Sequence, residues 1–443
     1  MKTGQYLSPR FPEISFPHLA GVELPKLHRV RIKHPIAPPL QNLEQSVATA
    51  LDHCQHLPQI PRGSEVAVAV GSRGIAQIDT ITSTVVSQLK GWDLKPFIVP
   101  AMGSHGGGTD VGQQEVLKKL GIDEERMGCE IRSSMKTVDY GSIGDGIHCH
   151  FDANAAGAAG IILVNRVKAH TSFPREIESG LIKLIAVGLG KAEGARSVHR
   201  IGPKGLQEIL PKLAERAILS APIKAGIALI ENANREICHI EPVEPEALFE
   251  TEKRLLRKAK SLMPSLPFDQ LDALIVEEFG KEISGAGLDP HISGRTDIRG
   301  VENPSTPFIH KIAALRMTAA TNRNGMGTGM VDFLPQPTAN KLDLHSMYMN
   351  AVSSTVLEKA FLPIVLANDQ EVIRALVATC WKPEINLIRL AQIRSTLHLN
   401  EILLTTPLFQ EAQSKGAIAS FEDQTESFKF DSSGQLLTKV QCK

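Results

Sequence analysis

Along the first 265 residues, short apolar runs alternate with amphipathic segments. Residues 66–70, 96–100, 160–164 and 225–230 are apolar runs short enough to be buried strands. Between them, Leu43, Val47 and Leu51 fall at helical spacing within 42–53. Residues 78–89, 110–120, 203–219 and 244–262 also read as helices, and Gly121 stops the one before it. Strand, loop and helix in this alternation predict a mostly parallel, doubly wound α/β sheet with right-handed crossovers. Residues 1–40 are proline-rich and read as extended, with one or two edge strands; 128–153 is irregular, with strand-like pieces at 129–132 and 148–151.

A chain of 443 residues is too long for one ordinary core. Residues 263–268 hold Pro264 and Pro267 and read as a linker, after which a new apolar run starts at Leu271. The division predicts an N-terminal α/β domain over 1–265 and a second, smaller α/β domain over 266–443, with the active site in the cleft between them. In the second domain, 280–335 is glycine-rich and reads as irregular, with helices around 341–359 and 385–395. The polar stretch 417–443 reads as a surface strand pair or as a tail that packs back on the first domain.

Composition narrows the function. Charged residues make up 22% and cancel to a net charge of zero, and aromatic residues make up only 5%, which argues against a nucleic-acid or membrane surface. No apolar run is long enough to span a bilayer, and the first residues lack an apolar signal core, so the reading is cytoplasmic. The six cysteines are scattered without a C-x-x-C pair, as reduced thiols rather than a disulfide frame.

The chemistry concentrates at 165–200, NRVKAHTSFPREIESGLIKLIAVGLGKAEGARSVHR. A strand end leads to a loop with His170, an apolar helix with Lys183 and a second helix reaching His199. A cation among leucine and isoleucine costs free energy unless it is paired, exposed or covalently modified. Such a lysine can also extend to solvent, and single histidines are often structural. Arg73 and His105 lie in loops after two other predicted parallel strands, so Arg73, His105 and His170 share the edge where open α/β sheets bind ligands. An arginine fork suits a carboxylate, and Gly103 and 106–108 let backbone approach a ligand beside His105. Two histidines on separate loops can act as opposed acid/base groups on one carbon. The spacing of His148 and His150 suits a metal on a strand. The glycine-rich loop lacks the spacing of an ATP-binding P-loop.

Four segments carry a resemblance: MGSHGG at 102–107, NRVKAHTSF at 165–173, ESGLIKLIAVGLGK at 178–191 and EEFGKEISGAGLDPHISGR at 277–295. In identity and order they resemble the lactate racemase (LarA-like) superfamily, nickel-pincer-nucleotide-dependent 2-hydroxyacid racemases and epimerases. The resemblance implies that Lys183 tethers the pyridinium dithio-mononucleotide and that His199 is the protein ligand to nickel. It implies His105 and His170 as the proton-transfer pair, with hydride leaving substrate C2 for the pincer ring and returning to the other face. Arg73 would hold the substrate carboxylate, Lys281 would contact substrate or cofactor from across the cleft, and Trp381 would cover the cofactor. A tethered lysine carries no charge, which accounts for its apolar neighbours. The partners implied are a small 2-hydroxyacid and, transiently, the enzymes that build the cofactor; a host lacking them would yield apoprotein.

Two departures bear on substrate. The family's lactate racemase pattern has an aspartate three residues before the arginine, where this chain has Val70. His170 and Lys183 are separated by a loop containing Arg175, Glu176 and Glu178, which suggests a sugar acid or another functionalised 2-hydroxyacid. Two other classes compete: a cofactor-free α/β hydrolase or transferase using a His–Lys site, and a non-catalytic small-molecule binder. No G-x-S-x-G elbow supports the former, and opposed acid/base groups are superfluous in the latter.

Overall fold

A computed structural model describes residues 6–35, 37–72, 74–170, 175–202 and 204–441, with the backbone alone at His199 and Leu206. Two compact units result, one from the described residues of 35–263 and the other from those of 6–34 and 264–441. Each is a mixed α/β layer structure built on its own mostly parallel sheet.

In the first unit the strands lie in the order Lys95–Pro100, Glu65–Val70, Gly160–Arg166, Ile223–Glu231 and Ile237–Val243. The first four are parallel and the last pairs antiparallel. Alternate residues feed two cores. Ala67, Ala69, Phe97 and Val99 pack on one face, and Val66, Val68, Val70 and Ile98 on the other. Burial on both faces explains why these strands are apolar runs without polar alternation. The helices between them start where a side chain satisfies the free amides of the first turn: Asn42 accepts from Gln45 N, and Thr109 from Gly112 N.

The second unit has an eight-stranded sheet. Ile364–Leu366, Phe333–Pro335, Phe308–Met317, Gln270–Phe279 and Leu390–Ser395 run parallel. His398–Leu404, His28–Ile32 and Ile418–Phe421 continue it antiparallel. Leu274 and Val276 face one core, Ala273 and Ile275 the other.

Several elements differ from the sequence expectation. Residues 385–395 are a single helical turn, Ile385–Leu387, followed by the strand Leu390–Ser395. That strand lies between two others with Leu390, Ala391 and Ile393 fully buried, so its apolar pattern carries no strand alternation. The span 280–335 is irregular only in part. Phe308–Met317 pairs along its length with Gln270–Phe279, although His310, Lys311 and Arg316 interrupt its apolar character. His28–Ile32 is an interior strand rather than an edge strand. Its Arg29, 6% exposed, is held by Glu401 and Glu426. The stretch 417–443 supplies the edge strand Ile418–Phe421 beside it, so it packs on residues 27–32 of its own unit. The strands Ile237–Val243 and Thr137–Gly144 and the helices Asp369–Ala378 and Thr406–Ser414 are additional. Among the described residues, no helix is long and apolar enough to cross a membrane.

Buried carboxylates fasten the C-terminal segment: Asp369 Oδ2 accepts from Leu436 N at 2.9 Å, and Glu277 holds the end. Glu277 Oε1 accepts from Gln392 Nε2 at 2.6 Å and from Val440 N at 2.7 Å. Glu277→Ala should therefore accelerate amide hydrogen exchange at Val440 and lower unfolding free energy by about 1–3 kcal/mol, the cost of leaving buried donors unpaired. Unchanged exchange at Val440 would contradict this fastening.

Candidate functional site

Val70 is in register with Pro100 on one side and Val164 on the other. Glu65–Val70 and Lys95–Pro100 thus end level, Gly160–Arg166 runs on past Val164, and the three loops emerge at one edge of the sheet, where neighbouring strands are about 4.8 Å apart. The chain passes from Glu65–Val70 to one neighbour and later returns to the other, so strand order reverses here. Such a reversal opens a crevice at the carboxyl ends of the strands.

The first loop begins Gly71-Ser72; Arg73 lies outside the described residues. Ala76 N donates to Glu231 Oε1 at 2.8 Å, and Glu231 also pairs with Arg166. A Cβ on Gly71 would stand 3.3 Å from Asn165 Oδ1, while Asn165 Nδ2 donates to Gly180 O at 2.7 Å. Asn165 thereby links the first loop to the third.

The second loop carries His105, which is exposed. Its Nδ1 is hydrogen-bonded to Ser72 Oγ across the loops, with the tautomer deciding which atom donates. The loop sits tightly on its surroundings. Gly103 N donates to Gly188 O at 3.0 Å, and a Cβ on Gly188 would lie 2.6 Å from Ala101 O. A Cβ on Gly112 would lie 1.9 Å from Gly106 O, so backbone meets backbone where only glycine fits.

The third loop carries His170, half-buried. Its backbone N donates to Glu178, which also accepts from Arg175 N at 2.7 Å and from Lys260 Nζ. Glu178 is 4% exposed and Glu176 pairs with Lys253 at 3.5 Å. These charges serve the scaffold, so they do not support the inference of a polar substrate drawn from them.

The segment after this loop is helical but not uniform. Leu181–Lys183 is α-helical, Leu184–Gly188 is a π turn, and Lys191–His199 is a second α-helix. Lys183 and Val187 are its half-buried positions among buried neighbours, one turn apart. Val187 O would be 3.1 Å from a Cβ on Gly103, so this face lies beneath the His105 loop. Lys183 is therefore less buried than its apolar neighbours imply. His199 ends the second helix, and only its backbone is described.

The fully buried lysine is Lys191, which sequence reasoning missed. Its Nζ donates to Pro100 O at 2.6 Å and to Gln113 Oε1 at 3.2 Å. It also forms an ion pair with Asp152 Oδ2 at 2.9 Å, though without hydrogen-bond alignment. Lys191, Gln113 and Asp152 are all 0% exposed. Burial pushes the ammonium below its usual range, and Asp152 opposes that. Lys191 holds φ +53°, a left-handed conformation costing a non-glycine residue about 1–2 kcal/mol. The motif GLGK at 188–191 was visible; Gln113 and Asp152 carry no local signal.

Glu252 was also missed. It is fully buried on Leu248–Ser261, and its Oε2 accepts from Ile182 N at 2.8 Å at the start of the Lys183 helix. A Cβ on Gly180 would lie 2.4 Å from its carboxyl carbon. Burial pushes the carboxyl up to about 7, against the pull of the Ile182 and Leu181 amides.

The remaining candidates belong to other elements. Lys281 is in the other unit, where its Nζ donates to Asn350 Oδ1 at 2.7 Å and its N to Thr321 Oγ1. Trp381, 82% exposed, packs against His310 in that same unit with the rings tilted by 50°. His148 pairs with Asp139 and His150 with Thr137 across a hairpin, and no group of three or more metal-type ligands occurs among the described residues.

The edge thus offers an imidazole paired with a hydroxyl, a second imidazole on the loop at the other side of the Ser72 loop, and a half-buried lysine. Proton transfer, nucleophilic attack and covalent attachment at the lysine are all open to such a set.

No family model and no curated protein matches this chain. Among solved structures, the lactate racemase apoprotein from Thermoanaerobacterium thermosaccharolyticum is similar over 78% of this chain and 98% of that chain, at 11% identity and a TM-score of 0.45.

Glu252 makes stability depend on pH. Its folded-state value, about 7, lies above the ordinary 4.5, so its contribution is complete below pH 4.5 and is lost as pH rises through about 7. Wild-type stability relative to Glu252→Gln should fall by about 3 kcal/mol across that window, by urea unfolding near pH 4.5 and near pH 8. Parallel pH dependence of the two proteins would contradict this assignment.

Proposed function

We propose that this chain is a 2-hydroxyacid racemase or epimerase that carries a nickel-pincer nucleotide on Lys183, with His199 as the protein ligand to nickel. The observation that carries this reading is the common sheet edge: the loops of His105 and His170 leave the two strands that flank Glu65–Val70, whose last residue is in register with Pro100 and Val164, and Lys183 lies on the helix Leu181–Lys183 in the segment that follows. The four sequence segments described above support the same reading.

Among the described residues, Lys183 and the glycines of the first two loops are compatible with the group. Lys183 is half-buried and so accessible for acylation. A Cβ on Gly74, Gly107 or Gly108 would meet nothing within 4 Å, which leaves open space along the first two loops for a flat ligand. When bound, the cofactor supplies a hydride acceptor. The chain's own residues do the rest. Arg73 binds the substrate carboxylate, and His105 and His170 exchange the hydroxyl proton, one for each face of C2. Ser72 orients the His105 ring through Nδ1. The substrate is a polyhydroxylated or otherwise functionalised 2-hydroxyacid; with Glu176 and Glu178 held by Lys253 and Lys260, that preference rests on the two departures from the lactate racemase pattern that are left, Val70 and the spacing of His170 and Lys183.

One observation favours a second reading. Ser72 Oγ bonded to His105 Nδ1 is also the start of a serine nucleophile and its base, as in a cofactor-free hydrolase. Covalent labelling of Ser72 by a fluorophosphonate, lost in Ser72→Ala, would select it.

Protein co-produced with the cofactor-synthesis enzymes should invert C2 in a panel of 2-hydroxyacids, sugar acids before lactate. His105→Ala and His170→Ala should each slow inversion by roughly 10²–10⁴-fold, the scale of a lost general base. Lys183→Ala should abolish it. Full turnover by Lys183→Ala would overturn the tether, and racemisation of lactate alone would overturn the substrate preference.

A further inference from the structure

The His105 loop leans on a buried polar chain that the proposed chemistry does not use. Asp152 ends the strand Ile147–Asp152, Lys191 starts the second helix of the site segment, and Gln113 lies on the helix Asp110–Lys119. Gln113 divides its amide between two tasks. Its Oε1 accepts from Lys191 Nζ at 3.2 Å. Its Nε2 donates to Gly103 O at 2.8 Å and to His105 O at 3.4 Å. Lys191 Nζ meanwhile donates to Pro100 O, the last residue of the strand before that loop.

Three features argue that this chain of contacts does more than fill a core. A buried cation with a carboxylate partner is costly, and an apolar side chain of similar volume is often as stable. Lys191 also occupies a left-handed backbone position that glycine adopts more cheaply. Both costs are accepted at the one side chain whose ammonium reaches the strand end and the glutamine behind the loop. The carbonyls it serves, directly or through Gln113, are those of Pro100, Gly103 and His105.

We propose that Gln113, oriented by the buried Lys191–Asp152 pair, is the positioning residue that fixes the His105 loop so that its imidazole meets Ser72. Gln113 and Lys191 touch no reacting atom; they set the backbone from which His105 projects. The consequence for catalysis rests on the racemase reading, whereas the positioning itself does not.

The test separates the two. Gln113→Glu retains an acceptor for Lys191 and removes both donors to the loop; Gln113→Met removes the donors without adding charge and serves if the first variant does not fold. In folded variant, amide exchange at Gly103 and His105 should accelerate by about tenfold, the equivalent of one lost hydrogen bond. Exchange in Gly160–Arg166 should stay as in the wild type. The Nδ1 resonance of His105, followed by ¹⁵N NMR, should shift as the Ser72 contact loosens, whereas those of His28 and His239 should not move. Unchanged loop exchange with an unchanged His105 Nδ1 resonance would overturn the proposal. These readouts need neither cofactor nor substrate, so they hold or fail independently of whether the protein proves to be a racemase.

Discussion

The candidate site depends on one constraint: a loop of glycines must lie in backbone contact with a helical segment at its π turn, Leu184–Gly188. Gly103 is hydrogen-bonded to Gly188, and Gly188 leaves no room for a side chain beside Ala101. A π turn widens a helix by one residue and exposes carbonyls that an α-turn would engage. Here the gain is a second contact surface, which lets the segment from Leu181 to His199 sit under the loops of two strands. The buried Lys191 follows at the point where the segment turns into its second helix.

Polar groups in this region are mostly directed at backbone. Glu178 gathers the His170 loop, Glu252 caps the start of the Lys183 helix, Asn165 leaves no slack between the Gly71 and Gly180 ends of two loops, and Glu231 holds the first of these at Ala76. Loops without regular structure have backbone donors and acceptors to satisfy, and buried side chains meet that need at a cost in desolvation. The result is a rigid support from which a few side chains, His105 among them, project toward solvent. Sites held in this way keep geometry within the narrow tolerance that proton transfer needs.

Much of this was legible in the sequence. The four parallel strands of the first unit announced themselves as apolar runs because both faces of the sheet are covered. The loops after them could be found because glycine clusters mark strand ends. The same rule failed for Leu390–Ser395, where complete burial erased the alternation that distinguishes strand from helix, and for Phe308–Met317, whose polar residues broke the run. His28–Ile32 was taken for an edge because its interior position depends on partners nearly four hundred residues away. At the site, His105, His170 and Lys183 could be singled out by their company in sequence. Lys191 was overlooked because its partners, Asp152, Gln113 and Pro100, come from three separate elements. Glu178 was misread as a substrate-facing charge for the same reason: Lys260, which neutralises it, lies on a distant helix.

The central claim is that Lys183 carries a nickel-bearing nucleotide. Intact-mass and peptide mass spectrometry, with nickel analysis, on protein co-produced with the cofactor-synthesis enzymes tests it most directly. The account predicts a nucleotide-sized adduct on the Lys183 peptide and nickel in about equal proportion to protein, as one histidine and one tethered group imply. An unmodified Lys183 peptide with no nickel, from a preparation in which those enzymes demonstrably load a known racemase, would contradict it.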